Sequence, residues 1–135
     1  MGLWDAGRTG GFKPAKVQQY QWKLDERNSV TLDGNGNGSI QFSPQGAREK
    51  WLINFIAVST TNVSPNSTKV PTMIMYRSAA VPGNQLAGTY NALLDADTTV
   101  QYQLNMNEPV VCVFSGGDPA SVGNIHLEGI RYVWE

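Results

Sequence analysis

"SVTLDGNGNGSIQFSP" (residues 29–44) decides how this chain is read. Val30 and Leu32 alternate with Ser29, Thr31 and Asp33, and Ile40 and Phe42 repeat the alternation after the glycines. A period of two marks extended segments with one buried face. Between them Gly34, Gly36 and Gly38 reach positive φ at no steric cost, and Asn35 and Asn37 tolerate it. The pattern predicts two strands joined as a hairpin, with Val30, Leu32, Ile40 and Phe42 on one sheet face. The same stretch matches the calcium-loop pattern D-x-[DN]-x-[DN]-G through Asp33, Asn35, Asn37 and Gly38. The twelfth position, which should hold a bidentate glutamate, is Pro44, and both flanks are strand-like rather than helical. A turn is expected here, not a metal loop.

Working outward, the alternation recurs at short intervals. "QYQWKL" sets Tyr20, Trp22 and Leu24 against Gln19, Gln21 and Lys23. "KWLINFIAVST" (residues 50–60) is apolar on both faces. Trp51 and Ile53 differ in parity from Ile56 and Val58, which predicts a central strand carrying a bulge. "PTMIMYRS", "TTVQYQL" with Val100, Tyr102 and Leu104, and "PVVCVFS" read as further strands. "NIHLEGIRYVWE" alternates Ile125 and Leu127, then Ile130, Tyr132 and Trp134 after a register change at Gly129. Turn clusters separate these runs, and the one helical candidate, "GTYNALLDAD" (residues 88–97), is long enough for a single turn. The fold class expected is all-β: an antiparallel β-sandwich, jelly-roll-like, with an extended N-terminal arm.

Composition narrows the function. One hundred and thirty-five residues make one domain, and 16% charged residues against 41% hydrophobic suits half-buried strands. With net charge −1 and pI near 5.8, the chain has no footprint for gripping nucleic acid. The apolar run at 52–58 is too short to cross a bilayer, and "MGLWDAGRTGG" reads as no signal peptide. Ala6 stands where a myristoylation motif needs Ser or Thr. A single cysteine, Cys112, excludes an internal disulfide, and its place in "VVCVF" predicts an inert buried thiol.

Catalytic patterns are weak. The sole histidine, His126, shares a strand face with Asn124 and Glu128 and reads as a solvated or hydrogen-bonded side chain. No G-x-S-x-G elbow, phosphate loop or dinucleotide fingerprint accompanies it. Asp95 and Asp97 with Glu128 could supply paired carboxylates, but "DADTT" reads more readily as turn chemistry. The chain is therefore read as a non-enzyme with no cofactor. Tyr76, Tyr90 and Tyr132 are the candidates for aromatic faces that stack on a glycan.

Residues 1–28 form a separate expectation. Four glycines and a proline within residues 1–16 leave no periodicity, yet Leu3, Trp4 and Phe12 need covering. An arm that docks onto another chain would bury them, as would an arm folded back on its own domain. The division expected is a docking arm over 1–28 and a β-sandwich domain over 29–135.

Several stretches, in order, resemble small β-sandwich virion proteins of tailed phages of actinobacteria. They are "DGNGNGSIQFSP", "REKWLINFIAVST", "VPTMIMYRS", "QLAGTY", "DADTT" and "FSGGDPAS", across about residues 29–129. The resemblance implies a structural component of the virion, assembled in the host cytoplasm, as a minor tail or adsorption-apparatus protein. A capsid decoration protein is the nearest alternative, and a carbohydrate-binding module for host cell-wall glycan is the alternative of another class. Other tail or capsid subunits are the implied partners, with homo-oligomers such as trimers expected. The loops "TTNVSPNSTKV" and "SGGDPASVG" are expected to face outward.

Overall fold

The computed structural model describes residues 18–62, 66–86 and 88–134. Among the described residues nine strands account for the alternating stretches: β1 (Gln19–Thr31), β2 (Gly38–Phe42), β3 (Glu49–Thr61), β4 (Thr72–Arg77), β5 (Tyr90–Asn91), β6 (Leu94–Asp97), β7 (Tyr102–Gln103), β8 (Val110–Ser115) and β9 (Val122–Trp134). The larger sheet runs β1-β9-β3-β6, with β7 also paired to β3, and the smaller runs β2-β8-β4-β5. Every pairing is antiparallel. With β6 and β7 sharing one strand's place, this is the strand order of an eight-stranded jelly roll. No helix among the described residues is long and apolar enough to cross a membrane.

Alternate side chains of the two sheets meet in one core. Leu24, Ile53, Ile56, Ile125 and Leu127 come from the larger sheet, and Ile40, Met73, Met75, Val110 and Phe114 from the smaller. Burial of this apolar set is the main stabilising term. Cys112 lies in the same layer, fully buried, and burial pushes its thiol up to about 12. A thiol-specific reagent is expected to label it only as fast as the domain unfolds; rapid labelling of native protein would contradict that placement.

The 29–44 stretch forms its two strands but not a hairpin. β1 pairs with β9 and β2 with β8, so the turn carries the chain from one sheet to the other. The reason lies in Leu32, whose N–H donates to the Ser121 carbonyl (2.7 Å) and whose carbonyl accepts from Ala120 N–H (3.0 Å). The groups that would pair β1 to β2 are thus taken by the loop before β9. Val30, Leu32, Ile40 and Phe42 still face one interior, from opposite sheets. In the turn, Asp33 Oδ1 accepts the N–H groups of Asn35 (2.8 Å) and Asn37 (3.0 Å). Gly36 has φ of 75°, and a Cβ there would lie 1.9 Å from the Gly117 carbonyl oxygen. Only glycine meets both demands.

The bulge lies where the parity change places it. β9 pairs Glu128 with Phe55 but Gly129 with Ile53, leaving Asn54 as the extra residue of β3. Trp51 and Ile53 before it and Ile56 and Val58 after it consequently all point inward. β9 itself keeps its parity against β1, so the register change expected within β9 belongs to β3. Ile130, Tyr132 and Trp134 continue the outer face of His126 and Glu128 rather than switching to the core.

Residues 88–97 are not helical. β5 ends in the smaller sheet and β6 begins in the larger, and Ala92 between them is fully buried. Thr60 Oγ1 donates to the Ala92 carbonyl at 2.7 Å, and Leu93 N–H donates to Asn91 Oδ1 at 3.0 Å, pinning an extended crossing. The boundary expected after residue 28 falls inside β1, which stays paired with β9 from Gln19 to Thr31. Leu3, Trp4 and Phe12 lie outside the described residues.

Candidate docking surface

The two sheets differ in length, and the difference exposes one end. β1, β3 and β9 each hold 13 residues, whereas β2, β4 and β8 hold 5, 6 and 6. At 3.3 Å per residue the long strands span about 43 Å and the short ones about 17–20 Å. Part of the larger sheet therefore overhangs the smaller. On β1 the inward face passes from Leu24, fully buried, to Trp22 and Tyr20, which are 57% and 38% exposed. The period-two alternation that buries Leu24 continues past the core and presents two aromatic rings instead. Their centroids lie 6.5 Å apart with planes 29° from parallel.

Glu49 and Arg131 form the floor of this overhang. Arg131, directly across from Trp22, turns inward to the Glu49 carboxylate, which is 1% exposed. Arg131 Nε and one terminal nitrogen donate to its two oxygens at 3.1 and 3.0 Å. Gly46 N–H (3.1 Å) and Trp51 Nε1–H donate as well. Burial alone would raise the Glu49 pKa, but the bonds from Arg131, Trp51 and Gly46 together hold it below the ordinary value. This rigid polar knot fixes the end of the sheet from which Tyr20 and Trp22 project. On the outer face Tyr132 and Trp134 lie 6.4 Å apart and, with Lys50, Leu52 and Gln103, line a hollow of about 180 Å³.

β1 is also an edge strand: among the described residues β9 is its one ladder partner. A 13-residue edge offers a row of backbone groups to another chain. Lys23, Asp25, Glu26 and Arg27 restrict which chain can use it.

The three tyrosines proposed as glycan platforms do not converge. Tyr76 is half-buried on β4 of the smaller sheet, and Tyr132 lies on the larger. Tyr90 is 7% exposed, so its ring belongs to the core and offers no stacking face. Burial, then the neighbouring Tyr102 and Asp97, raise its hydroxyl's pKa far above the ordinary value. The segment "SGGDPASVG" does not face outward throughout: Gly117 donates to the Gly36 carbonyl, and Asp118 and Ser121 are buried. Ser67 of the other loop donates to Asp118 at 2.7 Å, tying the two loops together.

The carboxylates do separate work. Asp97 accepts from Thr99 N–H and Oγ1 (3.0 and 2.8 Å), and Asp95 from Asn91 N–H (3.3 Å). His126 does share its outer face with Asn124 and Glu128, and it contacts Asp25 of β1. Sequence reasoning missed Asp25 and the Glu49–Arg131 pair, because nothing local marks a contact across 82 or more residues. No protein-family model matches this chain, and a comparison with curated proteins also finds no match.

Proposed function

We propose that this protein is a non-enzymatic structural subunit of a tailed-phage virion, a minor tail or adsorption-apparatus component that docks through the overhanging end of its larger sheet. The observation that carries the reading is the Tyr20–Trp22 pair, exposed on the face that elsewhere forms the core. Large aromatics on a rigid platform are the residue types that dominate protein interfaces. The adjacent edge of β1, unpaired among the described residues, supplies main-chain groups for the same partner. Jelly rolls recur in viral coats and in lectins, an analogy at the level of fold that agrees with this reading. The ordered stretches over about residues 29–129 that resemble phage virion proteins are the ground for preferring a tail role. Neighbouring virion subunits, including further copies of this chain, are the partners, and the virion is its location.

Two alternatives stay distinct. A capsid decoration protein would use the same overhang against the shell. A glycan-binding module would use the hollow of about 560 Å³ on the outer face of the larger sheet, lined by Arg27, Ser29, Ser59, Asn124 and His126. Immunogold labelling of purified virions separates these readings. Label at the tail supports the proposal, label on the head replaces it with decoration, and particles free of label overturn the virion role. Stability gives a companion expectation. Because Trp22 and Tyr20 are 57% and 38% exposed, Tyr20→Ser with Trp22→Ser should change folding free energy by less than about 1 kcal/mol. A larger loss by urea titration would make the rings part of the core.

A further inference from the structure

The outer face of the larger sheet carries three ligating side chains that the docking account does not use. Asp25 on β1 stands directly opposite Glu128 on β9, and His126 precedes Glu128 by two residues on the same face. His126 Nε2 lies 2.9 Å from Asp25 Oδ1 and 3.1 Å from Glu128 Oε2, and the three ligating atoms all fall within 4.8 Å of one another. The Phe55 ring meets the imidazole edge to face at 5.4 Å, which helps fix its orientation.

Two features of this cluster call for a cation. Like charges directly opposite each other on paired strands repel, and Asp25 and Glu128 are such a pair. A single imidazole nitrogen offers one hydrogen or one lone pair, so it cannot bond fully to two carboxylates at once. Arg27 reaches Asp25 Oδ1 at 3.5 Å from the side, but its side chain is 69% exposed and can withdraw. Ligands held at 2.0–2.2 Å in a tetrahedral shell are spaced by about 3.3–3.6 Å, so the nitrogen–oxygen separations of 2.9 and 3.1 Å need widen by only a few tenths of an ångström to admit the ion. One face of the cluster opens onto the hollow of about 560 Å³ that His126 and Arg27 help to line.

We propose that Asp25, His126 and Glu128 form a binding site for a first-row divalent metal ion, Zn²⁺ by its ligand set, with water from the hollow completing a four-coordinate shell. The imidazole selects against Ca²⁺ and Mg²⁺, which take oxygen ligands. Because one ligand comes from β1 and two from β9, the ion cross-links the edge strand to β9, its one ladder partner among the described residues. Binding should therefore stiffen the strand that carries Tyr20 and Trp22.

The test is calorimetric titration of the chelator-treated full chain with ZnCl₂ at about pH 8, where imidazoles are ordinarily neutral. It is paired with thermal melting and with hydrogen exchange of β1. The expected result is one saturable equivalent, a higher melting temperature and slower exchange across residues 23–27. His126→Gln and Glu128→Gln should each weaken binding by more than about tenfold while leaving the strand-type circular dichroism unchanged. Asp25→Asn adds a third arm, and if it misfolds the two β9 variants carry the comparison. Absence of saturable binding, binding unchanged in His126→Gln, or an equal response to CaCl₂ would each overturn the assignment.

Discussion

Glu49→Ala should lower folding stability by about 3 kcal/mol, measured by urea or guanidinium titration. Four donors converge on a carboxylate that is 1% exposed, two of them from Arg131. Without it the guanidinium stays near the sheet interior without its counter-charge, and the Trp51 indole N–H loses its acceptor. Arg131 is a third exposed, so water recovers part of the loss and the estimate sits at the low end for a broken buried pair. Glu49→Gln keeps the shape and should lose less. The native pair also has a pH signature. The Glu49 pKa in the folded protein is depressed below 4.5, so its contribution is complete above that value and is lost as pH falls through the folded value. Glu49→Gln should flatten stability against pH below about 4.5; an unchanged profile would show that the carboxylate does not hold this end of the sheet.

Gly129→Ala should be nearly as costly, about 2–4 kcal/mol, although glycine to alanine in a strand would ordinarily stabilise. The Asn54 bulge brings the β3 backbone against β9 at this point, and a Cβ on residue 129 would lie 1.9 Å from the Leu52 carbonyl oxygen. Backbone at that distance cannot yield as a side chain can, so the ladder must open locally. The bulge keeps Trp51 and Ile53 inward together with Ile56 and Val58, so its distortion reaches the core directly. A denaturation midpoint equal to that of the wild type would mean that the bulge is placed elsewhere.

What the sequence made legible follows from which signals are local. Alternation located the strands, and the parity break within "KWLINFIAVST" located the bulge to within a residue. The glycine-rich turn was recognised as a turn, yet its sense was not: choosing hairpin or sheet crossing depends on Leu32 pairing with a loop almost ninety residues later. Residues 88–97 misled for a related reason. Short apolar and polar residues there fit one helical turn, but burial of Ala92 and its bond from Thr60 stretch the segment between sheets. The overhang was invisible because alternation reports a face and not whether a second layer covers it. Tyr20, Trp22 and Leu24 share one pattern, and only Leu24 meets the smaller sheet. Tyr90 and Tyr132 likewise look alike in sequence, yet Tyr90 is buried in the core and Tyr132 only partly buried on the outer face. The Asp25–His126–Glu128 cluster depends on cross-strand register between segments about a hundred residues apart, with the "HLE" spacing as its one local trace.

The overhanging aromatic end is the surface proposed to join this chain to a particle. Its most direct test is the amount of the protein in purified virions when the gene is supplied as wild type or as Tyr20→Ser with Trp22→Ser, each checked for folding by circular dichroism. Wild-type protein should be present in the particles and the folded double variant absent or strongly depleted. Incorporation of the variant at the wild-type level would contradict the docking surface, and particles lacking even the wild-type protein would contradict the virion role itself.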